Sequence, residues 1–326
     1  MSAATAADFL TLFLANGIKI CYNVCMDIVK VLSYAKLNLT LEITGRTEQF
    51  HTLDSLVVTV GLYDKIILKK RRDSLINVYM HGMGSDKLFP EENNAVRAGE
   101  QFVEAFHTNG ADITIHKNIP MGAGLGGSSA DAAGVLNGLA KLYKITDLKK
   151  LKLLADALGS DTGYMLRGGL ARMRGRGEDV EFISDTPKMY FLLLCPKSGV
   201  STAECYQTYD GLAHSQKAGR TERCMQAYNS MGIGEAARLF GNDLYESAKL
   251  LNPDVGEAVN TLKMFSPLGA GMTGSGSAAF ALFETKELCE WAKSRYRGKY
   301  RCLVTEAVYP AEKRSRRANP YSIEGD

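Results

Sequence analysis

A chain of 326 residues, 45% hydrophobic and 23% charged, can bury a large core, and its length favours two domains over one. A formal net charge of +3 is too small to make nucleic acid or an acidic membrane surface the default partner. Seven cysteines, at positions 21, 25, 195, 205, 224, 289 and 302, form no pair of CxxC knuckles; they point to neither a disulfide framework nor a zinc site, and they fit a reducing cytoplasm.

Near the start, the apolar run from Phe9 to Ala15 is too short to span a bilayer. No basic residue precedes it and Asp8 sits at its edge, so it reads as neither a signal nor a transit peptide. Met26 stands immediately before the first well-patterned strand, and residues 1–25 read as an extension the fold does not need, or as a misplaced start. From Asp27 the chain alternates: Ala35, Leu37, Leu39, Leu41 and Ile43 share one face, and Tyr34, Lys36, Asn38 and Thr40 the other. A lysine on a polar strand face is ordinarily just solvated. With Asn38 and Tyr34 beside it, Lys36 reads instead as part of the floor of a cleft.

After a turn at Thr44-Gly45-Arg46, the segment from Phe50 to Val58 is extended, with an aromatic and an imidazole, Phe50 and His51, at its head. Val57 to Val60 and Ile66 to Leu68 are predicted strands joined by a turn at Tyr63-Asp64-Lys65. The spacing of Val96, Ala98, Phe102 and Ala105 predicts a helix from Asn94 to Phe106, and Ala111 to His116 alternates as a strand.

That strand delivers the chain to Pro120-Met121-Gly122-Ala123-Gly124-Leu125-Gly126-Gly127-Ser128-Ser129. Four glycines in six residues let the backbone turn sharply and point successive N–H groups inward. The next residues have a helical period, with Ala132, Val135, Leu136, Leu139 and Leu142 on one side, so the positive end of a helix would face whatever the loop encloses. Strand, loop and helix together make a cradle for an anion, most simply a phosphate. The loop lacks the Gly-Lys-Ser/Thr ending of a Walker loop, and no acidic residue follows at the ribose-binding distance of a dinucleotide fold. Taken alone, it would also serve as a flexible turn before a helix.

Thr146 is placed to cap a further helix striped by Leu148, Leu151, Ala155 and Leu158, and Gly159 closes it. Asp161 then opens an otherwise apolar, glycine-rich stretch. It either caps a helix or works as a base within reach of Lys36, whose ammonium would keep it ionised. A boundary is placed near residue 186, before the strand from Met189 to Cys195. The second unit holds Gly199-Val200-Ser201-Thr202, polar helical segments, and a second glycine-rich turn, Thr273-Gly274-Ser275-Gly276, before the apolar strand Ala279 to Phe283. That turn either closes over phosphates or permits tight packing. The basic cluster Lys313-Arg314-Ser315-Arg316-Arg317 lies in a polar tail and reads as solvated.

In fixed order stand Ala35-Lys36-Leu37-Asn38, the Pro-x-Gly-x-Gly-x-Gly-Gly-Ser-Ser loop and the late Thr-Gly-Ser-Gly turn. This resembles the GHMP small-molecule kinases over about residues 27–310. Phe50-His51-Thr52-Leu53, Leu158-Gly159-Ser160-Asp161 and Gly199-Val200-Ser201-Thr202 are similar to the members that act on a cytidine-diphosphate-linked sugar alcohol. The resemblance implies an α+β, two-domain GHMP kinase fold with a ribosomal-protein-like N-terminal domain (26–185), an α/β-plait-like C-terminal domain (186–310), and a tail at 311–326. It implies transfer of the γ-phosphoryl of ATP, with Mg2+, to an acceptor hydroxyl.

By the same resemblance Asp161 accepts or orients the hydroxyl proton and Lys36 offsets charge. Residues 120–129 and Thr273 to Gly276 hold ATP, and Ser128 or Ser129 lies near the metal. Phe50, where the family usually has tyrosine, and Tyr206 would sandwich a cytosine read by His51, with Asn38 and Thr202 completing the acceptor side. The sequence departs from the family at Thr162-Gly163, usually valine and proline, and at Gly271-Met272. The alternatives are a GHMP kinase of the mevalonate or homoserine type and a non-catalytic nucleotide-binding module. No nucleic-acid or membrane partner is expected.

Overall fold

The computed structural model describes residues 27–48, 50–83, 93–184, 187–212 and 219–309. The extension at 1–25, the boundary near 186 and the tail at 311–326 lie outside the described residues, wholly or in part. In chain order the elements are β1 (Ile28–Asn38), β2 (Thr40–Arg46), β3 (His51–Lys70), β4 (Ile76–Gly82), α1 (Asn94–Phe106), β5 (Ala111–Lys117), α2 (Gly127–Tyr143), α3 (Leu148–Leu158), α4 (Thr162–Met165), β6 (Leu170–Gly175) and β7 (Asp179–Phe182). Then follow β8 (Tyr190–Cys195), α5 (Thr202–Asp210), α6 (Arg220–Met231), α7 (Ile233–Ala237), β9 (Gly241–Asn242), α8 (Tyr245–Leu251), α9 (Pro253–Lys263), β10 (Gly269–Met272), β11 (Ala279–Phe283), α10 (Lys286–Arg295) and β12 (Arg301–Glu306).

The first sheet is built around β3, which pairs antiparallel with β1, β2, β5 and β6. The turn expected at Tyr63-Asp64-Lys65 is not there: β3 runs unbroken through 20 residues. The irregularity at this place is a register shift, where Tyr34 faces Tyr63 but Ala35 faces Val60. A bulge of this kind bends a strand without ending it, and it leaves Asp64 inside a sheet rather than at a loop tip. The turn expected at Thr44-Gly45-Arg46 also belongs to a strand, since β2 continues to Arg46.

Helix α2 lies close on this sheet because glycines stand where it meets Ser33 and Leu68. A Cβ at Gly134 would fall 2.3 Å from Ser33 Oγ, and one at Gly138 2.3 Å from Leu68 Cδ1. Helix α3 is capped by Asp147, whose side chain accepts from the Lys150 N–H, rather than by the expected Thr146.

The second sheet is antiparallel in the order β10-β11-β8-β12. The two sheets are not independent layers. Leu37 and Val58 of the first share one apolar cluster with Phe191 and Phe280 of the second. Strand β9 returns from the second half of the chain to pair in parallel with β2. The C-terminal half therefore closes one edge of the N-terminal sheet, and a cleft opens where the β5–α2 loop meets the β10–β11 turn.

Candidate active site

In the loop between β5 and α2, Gly122, Gly124 and Gly126 all take positive φ, at 61°, 71° and 72°. Alternation of this conformation with ordinary residues curls the peptide planes into a concave nest. At Gly124 space as well as φ demands glycine, because a Cβ would lie 2.1 Å from the Thr273 carbonyl oxygen. Five successive carbonyls of the loop are taken up, four by other segments of the protein and the fifth by the first turn of α2. Gly122 O accepts from Val200 N, Ala123 O from Ala278 N, Leu125 O from Lys36 N, and Gly126 O from Ala130 N. Gly124 O accepts from Thr273 Oγ1 at 3.2 Å. Among the described residues, the N–H groups of residues 124–129 have no protein acceptor. Gly126 offers α2 no side-chain cap, so the helix's first donors are open on the same side.

Lys36 enters from β1 and Asp161 from the junction of α3 and α4. Asp161 is helical (φ −84°, ψ −16°) but makes no side-chain cap bond. Its Oδ2 lies 3.2 Å from Lys36 Nζ, so of the two expected roles the structure shows the pairing and not the cap. The Thr162-Gly163 departure builds the short helix α4. A Cβ at Gly163 would lie 2.2 Å from Asp156 Oδ1, so a larger residue there would displace the Asp156 carboxylate. Tyr164, fully buried, pins this turn by donating to Gly169 O at 2.7 Å and pairing with Thr59 Oγ1 at 2.8 Å.

Asn38 joins this pair to the late turn. Its Oδ1 accepts from Lys36 Nζ at 2.5 Å and from Gly274 N–H at 3.1 Å. Its Nδ2 donates to Ser55 Oγ at 2.8 Å, and its own N–H donates to Thr273 Oγ1 at 2.9 Å. Expected as an acceptor-binding residue, Asn38 lines the cleft while its amide orients Lys36. The second glycine turn does two things: Gly274 and Ser275 line the cleft, while Thr273 is buried behind it and holds the loop at Gly124.

The cleft, of about 450 Å³, runs from Met80 and Asn93 along residues 120–129 to Lys36, Asp161, Thr202 and Tyr206. At its far end His51 stacks on Tyr206, with centroids 4.9 Å apart, and its Nε2 meets Asp210 Oδ1 at 2.7 Å. Burial pushes the Tyr206 hydroxyl up to about 12, so near neutral pH it presents an uncharged ring. Phe50 is 44% exposed and faces the Arg176 guanidinium, 4.2 Å from its ring centroid. The expected Phe50–Tyr206 sandwich is not preformed, because His51 and Arg176 cover the two rings. Thr202 is tied to Ser275 through its hydroxyl at 2.9 Å.

Arg176 and Asp210 were not expected here, and neither carries a local sequence signal. A second group was missed at the loop's base: Lys117, ion-paired to Asp64 and Asp131. Burial outweighs the attraction of Lys117 and pushes the Asp131 carboxyl up to about 7. Burial works against the Lys117 ammonium too, yet its two carboxylates hold it above the ordinary lysine value. A signal did exist, since Asp131 is the one charged residue in an apolar, small-residue helix start.

Ser128 Oγ accepts from Asn94 Nδ2 at 3.0 Å. One buried oxygen of Asp131 has no hydrogen-bond partner. Among the described residues no group of three or more His, Cys, Asp or Glu side chains could hold a metal, and no helix is long and apolar enough to cross a membrane.

Residues 93–169 match the family model described as the GHMP kinases N terminal domain, and residues 229–300 match GHMP kinases C terminal. The chain is 36% identical over 292 residues to a 4-diphosphocytidyl-2-C-methyl-D-erythritol kinase of Desulfitobacterium hafniense, covering 86% of this chain and 96% of that protein. It is 34% identical over 257 residues to the protein of the same name from Carboxydothermus hydrogenoformans, covering 78% and 88%. A crystal structure of 4-(cytidine 5'-diphospho)-2C-methyl-D-erythritol kinase superposes with a TM-score of 0.69 at 29% identity, covering 86% and 99%. A homoserine kinase from Cytophaga hutchinsonii superposes with a TM-score of 0.70 at 17% identity, covering 88% and 96%, which is a likeness of fold alone.

Proposed function

The chain belongs to the GHMP kinases, and from that premise we propose that it transfers the γ-phosphoryl group of ATP to a hydroxyl of 4-diphosphocytidyl-2-C-methyl-D-erythritol, giving the 2-phosphate in non-mevalonate isoprenoid precursor synthesis. One observation carries the chemistry: the loop's carbonyls at 122–125 are taken up by other segments of the protein, the N–H groups of residues 124–129 have no protein acceptor, and the Lys36–Asp161 pair stands in the same cleft. Unengaged N–H groups at a helix start bind and orient anionic oxygens, and they stabilise charge that spreads over a phosphoryl group in transit.

Asp161 accepts the acceptor hydroxyl's proton or fixes its direction. Lys36, held by Asn38, stands 3.2 Å away and offsets negative charge on the transferred group. Residues 120–129 together with Gly274 and Ser275 hold the triphosphate. Tyr206, His51 and Phe50 form the cytosine end, where base entry requires His51 to leave the Tyr206 face or Arg176 to leave Phe50. Thr202 lies between these two ends.

The residues present fit Mg2+. Such an ion is usually held by one or two protein oxygens and by substrate phosphates rather than by a protein cage. The serine hydroxyls at 128 and 129 and the unpartnered Asp131 oxygen are hard donors at the loop. Ser129 is the freer hydroxyl, because Ser128 already accepts from Asn94. These oxygens would hold the ion beside the triphosphate, where it would supply charge neutralisation. The same reading divides the chain into an ATP-binding unit at 26–185 and a second unit at 186–310, and places the enzyme in the cytoplasm.

A panel of 4-diphosphocytidyl-2-C-methyl-D-erythritol, mevalonate and homoserine, each with ATP and magnesium, tests this. ADP is expected to accumulate with the first alone. Turnover of mevalonate or homoserine in its place would overturn the assignment.

A further inference from the structure

Lys117 is the last residue of β5, and its side chain is 3% exposed. Two carboxylates meet its ammonium, one from Asp64 of β3 and one from Asp131 in the second turn of α2. Asp64 does more than neutralise. Its second oxygen accepts from the Asn118 N–H at 2.5 Å and from the Ile119 N–H at 2.8 Å, gripping the two residues that lead into the loop. Lys117 Nζ lies 3.8 Å from where a Cβ on Gly127 would stand, directly behind the first residue of α2.

One ammonium therefore ties the strand that enters the nest to the helix that leaves it. Residues 118–126 form a closed loop whose ends are fixed to each other and to the central strand. Arg301 holds the same entrance from the second sheet, donating to Asn118 O at 3.0 Å and Asn118 Oδ1 at 2.8 Å. Burying three charges costs several kcal/mol per ion before their attraction is counted, and apolar residues of similar size often stabilise a fold as well or better. Stability alone therefore explains the cluster poorly, whereas fixed geometry at the mouth of an anion nest explains its place.

We propose that Lys117 is a positioning residue for the phosphoryl donor. Through Asp64 and Asp131 it sets the separation and angle between the end of β5 and the start of α2, so that the loop's N–H groups converge on one phosphate. It acts on the nucleotide and not on the acceptor. This rests on reading the loop as the ATP site.

The test is ADP binding by calorimetry, with magnesium and with chelator, on the full chain and on the variant carrying Lys117→Met and Asp131→Leu together. Asp64→Asn is carried in the same variant, so that no charge is orphaned while the Asn side-chain oxygen still accepts from the Asn118 and Ile119 N–H groups. Metal-free ADP affinity is expected to fall about tenfold or more, as small displacements of binding groups do, with the melting temperature and acceptor affinity near the parent values. An unchanged metal-free affinity would overturn the proposal. So would a loss confined to the magnesium-containing titration, which would leave Asp131 with a metal role alone and Lys117 with no part in shaping the nest. If the combined variant does not fold, Asp131→Asn serves: weakening one tie is expected to lower metal-free ADP affinity about threefold, and no change overturns the proposal. A parent protein that binds no ADP would overturn the ATP-site reading itself, and the positioning role with it.

Discussion

At the scale of single residues, Lys36 was legible because its strand alternates and Asn38 follows two residues later on the same face. Its partner was harder to place, since 125 positions' worth of chain must fold before Asp161 comes within 3.2 Å of it. Replacing Lys36 by Met should lower kcat by about 10²–10³, the usual loss on removing one charge-stabilising donor, with circular dichroism unchanged. Full turnover in that variant would remove Lys36 from the chemistry. Asn38 illustrates what a sequence hides: the family resemblance implied a substrate contact, and only the fold reveals that Lys36, Ser55 and Gly274 engage its amide. The buried thiols make a second residue-level prediction. Burial pushes Cys195, Cys224 and Cys289 up to about 12, so few are thiolates near neutral pH. Peptide mapping after alkylation of the native protein should find these three protected, and rapid labelling at any of them would contradict their packing.

At the scale of elements, helices α1 and α2 were readable from apolar spacing, and the loop between β5 and α2 from its glycines. The long strand β3 was not, because Tyr63-Asp64-Lys65 has the composition of a turn while a bulge and the buried Lys117 partner hold it extended. Local propensity lost there to tertiary charge pairing. The loop's own requirement is sharpest at Gly124. Substituting Ala would demand a positive φ from a residue with a Cβ and would press that Cβ against Thr273 O. Thermal melts of Gly124→Ala should show a loss of more than about 1 kcal/mol, and nucleotide titration should show weakened binding. Wild-type behaviour in both would mean that the nest is not held against the second turn. On the far side of α2, Gly134→Ala should cost about 1–3 kcal/mol through overpacking against Ser33. Denaturant unfolding measures it, and an unchanged midpoint would contradict the close approach of helix and sheet.

At the scale of the whole molecule, the change in pattern near residue 186 raised the expectation of two units, while the interlocking of the two halves of the chain left no trace in the sequence. Strand β9 is only two residues long, too short to carry a periodic signal, yet it joins the second half of the chain to β2. The apolar cluster shared by Leu37, Val58, Phe191 and Phe280 binds the halves further. Calorimetry should therefore record one cooperative transition, and two separable ones would show that the halves fold independently. This interlocking sets the site, because the loop's carbonyls are held by Val200, Ala278 and Thr273 from the second half while Lys36 and Asp161 come from the first. The most direct measurement is a rapid-quench single turnover of radiolabelled ATP on 4-diphosphocytidyl-2-C-methyl-D-erythritol, comparing the parent protein with Asp161→Asn after both ligands are shown to bind. Label should pass to the acceptor in the parent and do so about 10²–10⁴ times more slowly in the variant; transfer at the parent's rate would contradict the role given to the Lys36–Asp161 pair.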